Sequence, residues 1–226
     1  MKKNLFILIV SLFVSASAVL YAQEETELPS DKSFIIVEPY HPHDLNPQTT
    51  SYSSDAQILT GLYEGLFTYD PVTLNPKYAL AVEYHLSRDK KRWTFKINDK
   101  AFFSIFEKIT AASVRNSWLQ LLATPQAPYA SLLDVIEGAA EYRIGKANAE
   151  EVGIYANSED SLSIHLVKPA NYLPKLLCHS SFSVIHSDPN VFSGAFYLDD
   201  MDDLTYVMKK NPYYWDKANV TLERIT

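Results

Sequence analysis

Three groups of residues have the composition to do chemistry, and each has a plainer reading beside it. His41-x-His43-Asp44 offers two imidazoles and a carboxylate at short spacing, the raw material of a metal site. Proline on either side of His43 makes the stretch a surface loop instead, and no further ligand cluster accompanies it. Cys178 and His179 pair a thiol with an imidazole, but adjacent residues do not by that fact face one another as nucleophile and base. Asp199-Asp200-Met201-Asp202-Asp203 has the charge for calcium, yet it lacks the glycine and the final glutamate of an EF-hand loop and reads as a solvated turn. No Gly-x-Ser-x-Gly elbow is present. With only 6 glycines in 226 residues, a phosphate-cradling loop is a poor fit. These readings favour a binding function over an enzyme, with no metal and no cofactor expected.

The elements that must position any binding residues follow from periodicity. Ser33–Glu38 is a short apolar run of the kind found in a buried strand. Pro39, Pro42 and Pro47 then enforce a loop over 40–50. A helix follows, with Ser53 or Ser54 as cap, Asp55 in its first turn, and Ile58, Leu59, Leu62, Tyr63 and Leu66 at helical spacing. Phe67–Tyr69 is extended, and Asp70-Pro71 starts a turn. The clean alternation of Arg92–Ile97 predicts a strand with one wet face. Thr110 opens a second helix that buries Val114, Trp118, Leu121 and Leu122, and Pro125 and Pro128 end it. The pattern predicts a helical stretch over 129–145, interrupted at Gly138. It continues with a hairpin, Ile154–Ala156 and Leu162–Leu166 around a turn at 157–161. A short helix is expected over Pro169–Leu177, and further strands over Leu204–Lys209 and Val220–Ile225. Strands and helices mingle without a βαβ rhythm, so the fold class is α+β, or mixed α/β.

The N-terminus carries Lys2 and Lys3, an apolar stretch from Leu5 to Val14, and small residues from Ser15 to Ala22, which is the pattern of a secretory signal peptide over 1–22. Cleavage after Ala22 leaves a polar start, and cleavage after Ala18 is the rival site. An uncleaved anchor is disfavoured by the serines within the run. No cysteine follows it, so the lipid attachment used by many exported proteins has no acceptor, and a periplasmic location is expected. Removing Lys2 and Lys3 from the 20 basic residues leaves 18 against 27 acidic ones, and an acidic chain of this kind is not built for nucleic acid. The lone Cys178 has no internal disulfide partner and is expected in the core. Residues 23–32 read as a flexible start, and 33–226 as one domain.

Several motifs resemble, in the same order, the extracellular solute-binding proteins of family 5, which serve oligopeptide and dipeptide ABC importers. They are Leu45-Asn46-Pro47, Gly61-Leu62-Tyr63-Glu64-Gly65-Leu66-Phe67, Trp93-Thr94-Phe95-Lys96-Ile97, Thr110-Ala111 with Ser117-Trp118, Pro128-Tyr129-Ala130-Ser131, Val167-Lys168-Pro169 and Asn211-Pro212-Tyr213-Tyr214-Trp215-Asp216. The resemblance spans about residues 33–226 and implies a lobe of the periplasmic-binding-protein type II kind, a mixed sheet with packed helices, represented by its N-terminal portion. It also implies capture of an extended peptide or related solute by main-chain pairing, and permease subunits in the inner membrane as partners. Carried over by position, Ser51, Tyr52 and Ser53 face the ligand with their backbone, Tyr129 is a ligand-facing tyrosine, and His179 lies near the pocket. Each has a structural alternative: a loop and helix cap for the first three, a core aromatic for Tyr129 and a packed imidazole for His179.

The sequence departs from the family pattern at Phe103–Ser113, where the tight Asp-Gly turn is lost and Ser113 replaces an aspartate, and at Ser193, which replaces an asparagine. Family chains run to more than twice this length and add a second lobe. The resemblance therefore implies that the strand ending at Thr226 lacks its returning neighbour and presents an open edge. A second functional reading follows: a single interaction lobe, or a vestigial one, that needs a separately encoded remainder.

Overall fold

The computed structural model describes residues 32–226 except Pro39 and His41. The expected signal peptide, the flexible start up to Asp31, and His41 lie outside the described residues. Among the described residues, two four-stranded sheets and a small hairpin carry the fold. β1 is Ser33–Phe34, β2 Phe67–Tyr69, β3 Pro76–Tyr78, β4 Ala81–Leu86, β5 Arg92–Ile97, β6 Ile154–Ala156, β7 Ser161–His165, β8 Phe196–Met201, β9 Tyr206–Lys210 and β10 Arg224–Ile225. The helices are α1 Ser53–Leu62, α2 Ala111–Ala123, α3 Ala139–Arg143 and α4 Leu173–Leu176.

The larger core forms on the antiparallel sheet ordered β4-β5-β7-β6. The predicted alternation of β5 is realised: Trp93, Phe95 and Ile97 are buried, Arg92 and Lys96 are exposed, and half-buried Thr94 meets Ser163 across the strands at 3.1 Å. α2 closes this core with Val114, Trp118, Leu121 and Leu122, all fully buried or nearly so. Burying side chains of this size stabilises by about 1.5–3 kcal/mol each. The Trp118 indole also donates to the Phe182 carbonyl at 2.9 Å, so its polar edge is satisfied. Thr110 begins α2 through a reciprocal capping box with Ser113: the Ser113 amide donates to Thr110 Oγ1 at 3.2 Å, and the Thr110 amide donates to Ser113 Oγ at 3.1 Å. Ser113 thus does the capping work of the aspartate it replaces.

The second sheet, ordered β1-β10-β9-β8, is mixed, because β1 and β10 run parallel while the other pairs are antiparallel. A smaller core joins it to α1 through Leu59, Leu62, Tyr63, Phe192, Phe196 and Met208.

Three expectations are corrected. β10 is flanked on both sides, by β1 and β9, so no open edge lies there; the first described strand supplies the neighbour. The run after Ser33 is a two-residue strand extended by a bond from the Ile36 amide to the Thr226 carbonyl, and its side chains are exposed, Val37 at 91%. Apolar character marked it for burial, but it sits at the sheet's rim. The 129–145 stretch is interrupted at Gly138, as expected: a 3₁₀ turn, Ala130–Leu133, precedes it and the short α3 follows, with Gly138 at φ +71° between them. Neither Ser53 nor Ser54 caps α1: the cap position is Tyr52 and carries no side-chain cap bond.

Candidate functional site

The loop leading into α1 is held from beneath by polar contacts. Asp55 is fully buried in the first turn of α1 and accepts hydrogen bonds from His43 Nδ1 at 2.8 Å and from the Thr50 hydroxyl. The Tyr52 amide donates to Thr50 Oγ1 at 3.3 Å, and buried Gln48 anchors the loop by donating to the Ser117 carbonyl at 2.7 Å. Above this base Ser51, Tyr52 and Ser53 stand exposed, and Tyr52 has extended backbone at φ −80°, ψ 136°. Ser53 is the first helical residue, so its amide is one of the four that a helix does not use internally. The pattern is an exposed three-residue segment, extended at Tyr52 and turning into α1 at Ser53, on a rigid support.

Tyr129 and His179 come together on a different part of the surface. Their ring centroids are 4.4 Å apart, tilted by 52°, and both are half-buried. His179 Nδ1 accepts from the Ser181 amide at 3.2 Å, which assigns the proton of a neutral ring to Nε2. Burial pushes the His179 pKa below the ordinary imidazole value and keeps the ring neutral at pH 7. The Ser180–Phe182 turn that follows packs against α1, and this contact links the pair to the helix that carries Ser53. Ser51–Ser53 and the Tyr129–His179 pair are therefore set by separate segments and joined through α1.

Neighbouring groups are poorly suited to nucleophilic work. Burial pushes the Cys178 thiol up to about 11, so it carries no thiolate at neutral pH, and its sulfur donates to the Pro174 carbonyl at 3.3 Å. Cys178 is half-buried at the margin of the larger core, less enclosed than expected. His43 is committed to Asp55, and Asp202 Oδ1 accepts from the Leu204 and Thr205 amides as the turn of the β8–β9 hairpin.

Two features escaped the sequence. An apolar groove of about 330 Å³ runs along the rim of the mixed sheet, lined by Ile35, Val37, Ile58, Leu204, Tyr206 and Met208 among others, and none of the five candidate residues lies in it. The exposed run after Ser33 was its signal. Glu64, within the Gly61–Phe67 motif, accepts from the Tyr214 hydroxyl and the Trp215 indole, each at 2.7 Å. Its partners lie 150 residues on, so no local pattern announced it.

Comparison with known proteins agrees with the geometry. The family model "Bacterial extracellular solute-binding proteins, family 5 Middle" matches residues 75–226. The periplasmic oligopeptide-binding protein OppA of Salmonella typhimurium is 28% identical over 80% of this chain and 36% of its own length. The dipeptide-binding protein DppE of Bacillus subtilis is 25% identical over 93% of this chain and 39% of its own. Peptide-bound OppA of Listeria monocytogenes superposes with a TM-score of 0.80 at 26% identity, covering 87% of this chain and 42% of that one. The chain thus spans less than half the length of these relatives, and its fold is part of a lobe of the periplasmic-binding-protein type II kind. On the residues matched by the family model, the chain belongs to the bacterial extracellular solute-binding proteins of family 5.

Proposed function

We propose that the chain is part of a periplasmic receptor for extended peptides that delivers them to the permease subunits of an ABC importer, without chemistry of its own. The observation that carries this reading is the exposed Ser51–Ser53 stretch, with Tyr52 extended immediately before α1, set on a buried polar base. Accessible main chain of this form pairs with a peptide as an added strand, so affinity comes from groups every peptide shares. Relatives named for oligopeptides and dipeptides support the ligand class. Tyr129 and His179 add an aromatic wall and an Nε2–H donor for a carbonyl or carboxylate of the guest.

The test exploits the place of Ser53 at the start of α1. Proline is favoured at the first helical position, and the residue before it must be extended, as Tyr52 already is. Ser53→Pro therefore removes one amide donor while leaving the helix intact, and Ser53→Ala removes only the side chain. In calorimetric titration with tri- to pentapeptides, Ser53→Pro is expected to weaken binding about tenfold, near 1.4 kcal/mol, and Ser53→Ala to leave it within about twofold. Equal loss in both variants would assign recognition to the side chain and contradict the proposal.

A second reading, an interaction lobe whose partner covers the groove, is favoured by the exposed Ile35 and Val37 that line it. Wild-type titrations that release heat without saturating would support it.

A further inference from the structure

The basic side chains of this acidic chain are gathered unevenly. In the turn between β4 and β5, four of the five residues over 88–92 are cations, Arg88, Lys90, Lys91 and Arg92, and all four are exposed. The one acid of the turn, Asp89, is engaged by the turn itself: its Oδ1 accepts from the Ser87 hydroxyl, and from the Lys91 amide at 3.1 Å. The Arg92 amide donates to Ser87 Oγ at 2.9 Å and the Lys90 amide to the Ser87 carbonyl at 2.9 Å, so the backbone is closed without help from the cationic side chains.

The neighbouring strand adds to the group. β7 pairs with β5 so that His165 stands opposite Arg92, and the Leu166 amide donates to the Lys91 carbonyl at 2.8 Å. The exposed Val167 and Lys168 that follow are thereby brought beside the turn. Glu137 is the acid at this end of the sheet, 4.0 Å from His165. Among the described residues, none of the side chains of Arg88, Lys90, Lys91, Arg92 and Lys168 forms an ion pair or a hydrogen bond. Like charges held together repel one another, and nothing in the fold offsets that cost here.

The composition of the group points to its partner. The centres of protein interfaces are depleted of Lys and anchored by aromatic side chains, whereas three of these five cations are Lys and the 87–92 turn holds no aromatic residue. A nucleic-acid surface does not fit a chain with more acids than bases. Ammonium and guanidinium groups on long, unpaired stems suit a diffuse array of phosphates.

We propose that the β4–β5 turn, together with Lys168, docks the protein on the anionic phosphate headgroups of a lipid bilayer. The proposal stands apart from the peptide-receptor reading. An acidic body with one basic end approaches such a surface by that end, and charges held farther off than about 8 Å, the screening length at physiological salt, are shielded from it.

Vesicle flotation tests this on the chain from Gln23, which keeps every described residue and removes the apolar run over 5–14 that would enter a bilayer by itself. Vesicles of phosphatidylcholine alone are compared with vesicles of phosphatidylcholine and phosphatidylglycerol. At about 50 mM salt, partitioning is expected to be at least about tenfold higher on the anionic vesicles, and that excess is lost by about 300 mM. Arg88→Glu with Lys91→Glu should lower it at least about tenfold. Lys100→Glu with Lys217→Glu makes the same charge change beyond the far end of β5 and in the β9–β10 connection, and should stay within about threefold of wild type. Lys90 has φ +58°, which glycine adopts freely, so Lys90→Gly removes one cation and keeps the turn. Its expected loss of about fivefold decides the matter if the double variant fails to fold. Equal partitioning on the two vesicle types, binding unmoved by salt, or equal losses in the two double variants would overturn the proposal. Failure to bind either vesicle would also overturn it and pass the turn to an acidic protein partner.

Discussion

At the residue scale, the buried carboxylates matter more than the exposed ones. Asp55 resembles a helix-dipole residue in the sequence, and it does sit in the first turn of α1, but its larger task is to gather donors from the loop below the candidate site. The Asp44 amide also points to it, at 3.4 Å. Replacing it by alanine leaves buried donors on His43 and Thr50 without their acceptor. Asp55→Ala is expected to destabilise the chain by about 3 kcal/mol, seen as a lower urea midpoint at unchanged slope. A loss below about 0.5 kcal/mol would show that the loop is held by other contacts. The replacement of asparagine by Ser193 costs nothing comparable, because Ser193 Oγ donates to the Val184 carbonyl at 2.6 Å while accepting from Glu64.

Among the elements, those that matched the sequence reading are those whose signals are local. β5 alternates, α2 carries its cap and its buried face within thirteen residues, and the β6–β7 hairpin has turn residues between two apolar runs. The missed elements either carry a misleading local signal or depend on distant partners. β8 hid because Asp199 and Asp200 look like a turn; in the fold a bulge between Leu198 and Asp200 re-aims them, and Asp199 pairs with Lys209 across the hairpin at 2.8 Å. β1 and β10 are two residues each: β1 pairs with β10 across nearly the whole described chain, and β10 also pairs with β9. The candidate site divides in the same way: its residues were named by position along the chain, whereas the Tyr129–His179 contact and the Glu64 junction arise from packing. Gly138 shows how a single position divides a helical stretch. At φ +71°, with the Glu151 carbonyl 2.3 Å from where a Cβ would stand, Gly138→Ala is expected to cost more than about 2 kcal/mol. Thermal unfolding checks this, and an unchanged midpoint would mean the turn relaxes freely.

For the whole molecule, α1 connects the parts. It carries the exposed Ser53, packs against the turn after His179, buries Leu59 and Leu62 in the smaller core, and leads directly into the Glu64 junction. One helix thereby ties the proposed peptide face to the sheet whose rim forms the apolar groove. The account rests on capture through main chain, and a pair of ligands identical in every side chain tests it most directly. Calorimetric titration would compare a tetrapeptide that binds with the same tetrapeptide methylated at its backbone nitrogens. The account predicts saturable binding of the first at about 10 µM or tighter and at least tenfold weaker binding of the second. Equal affinity for both would contradict it.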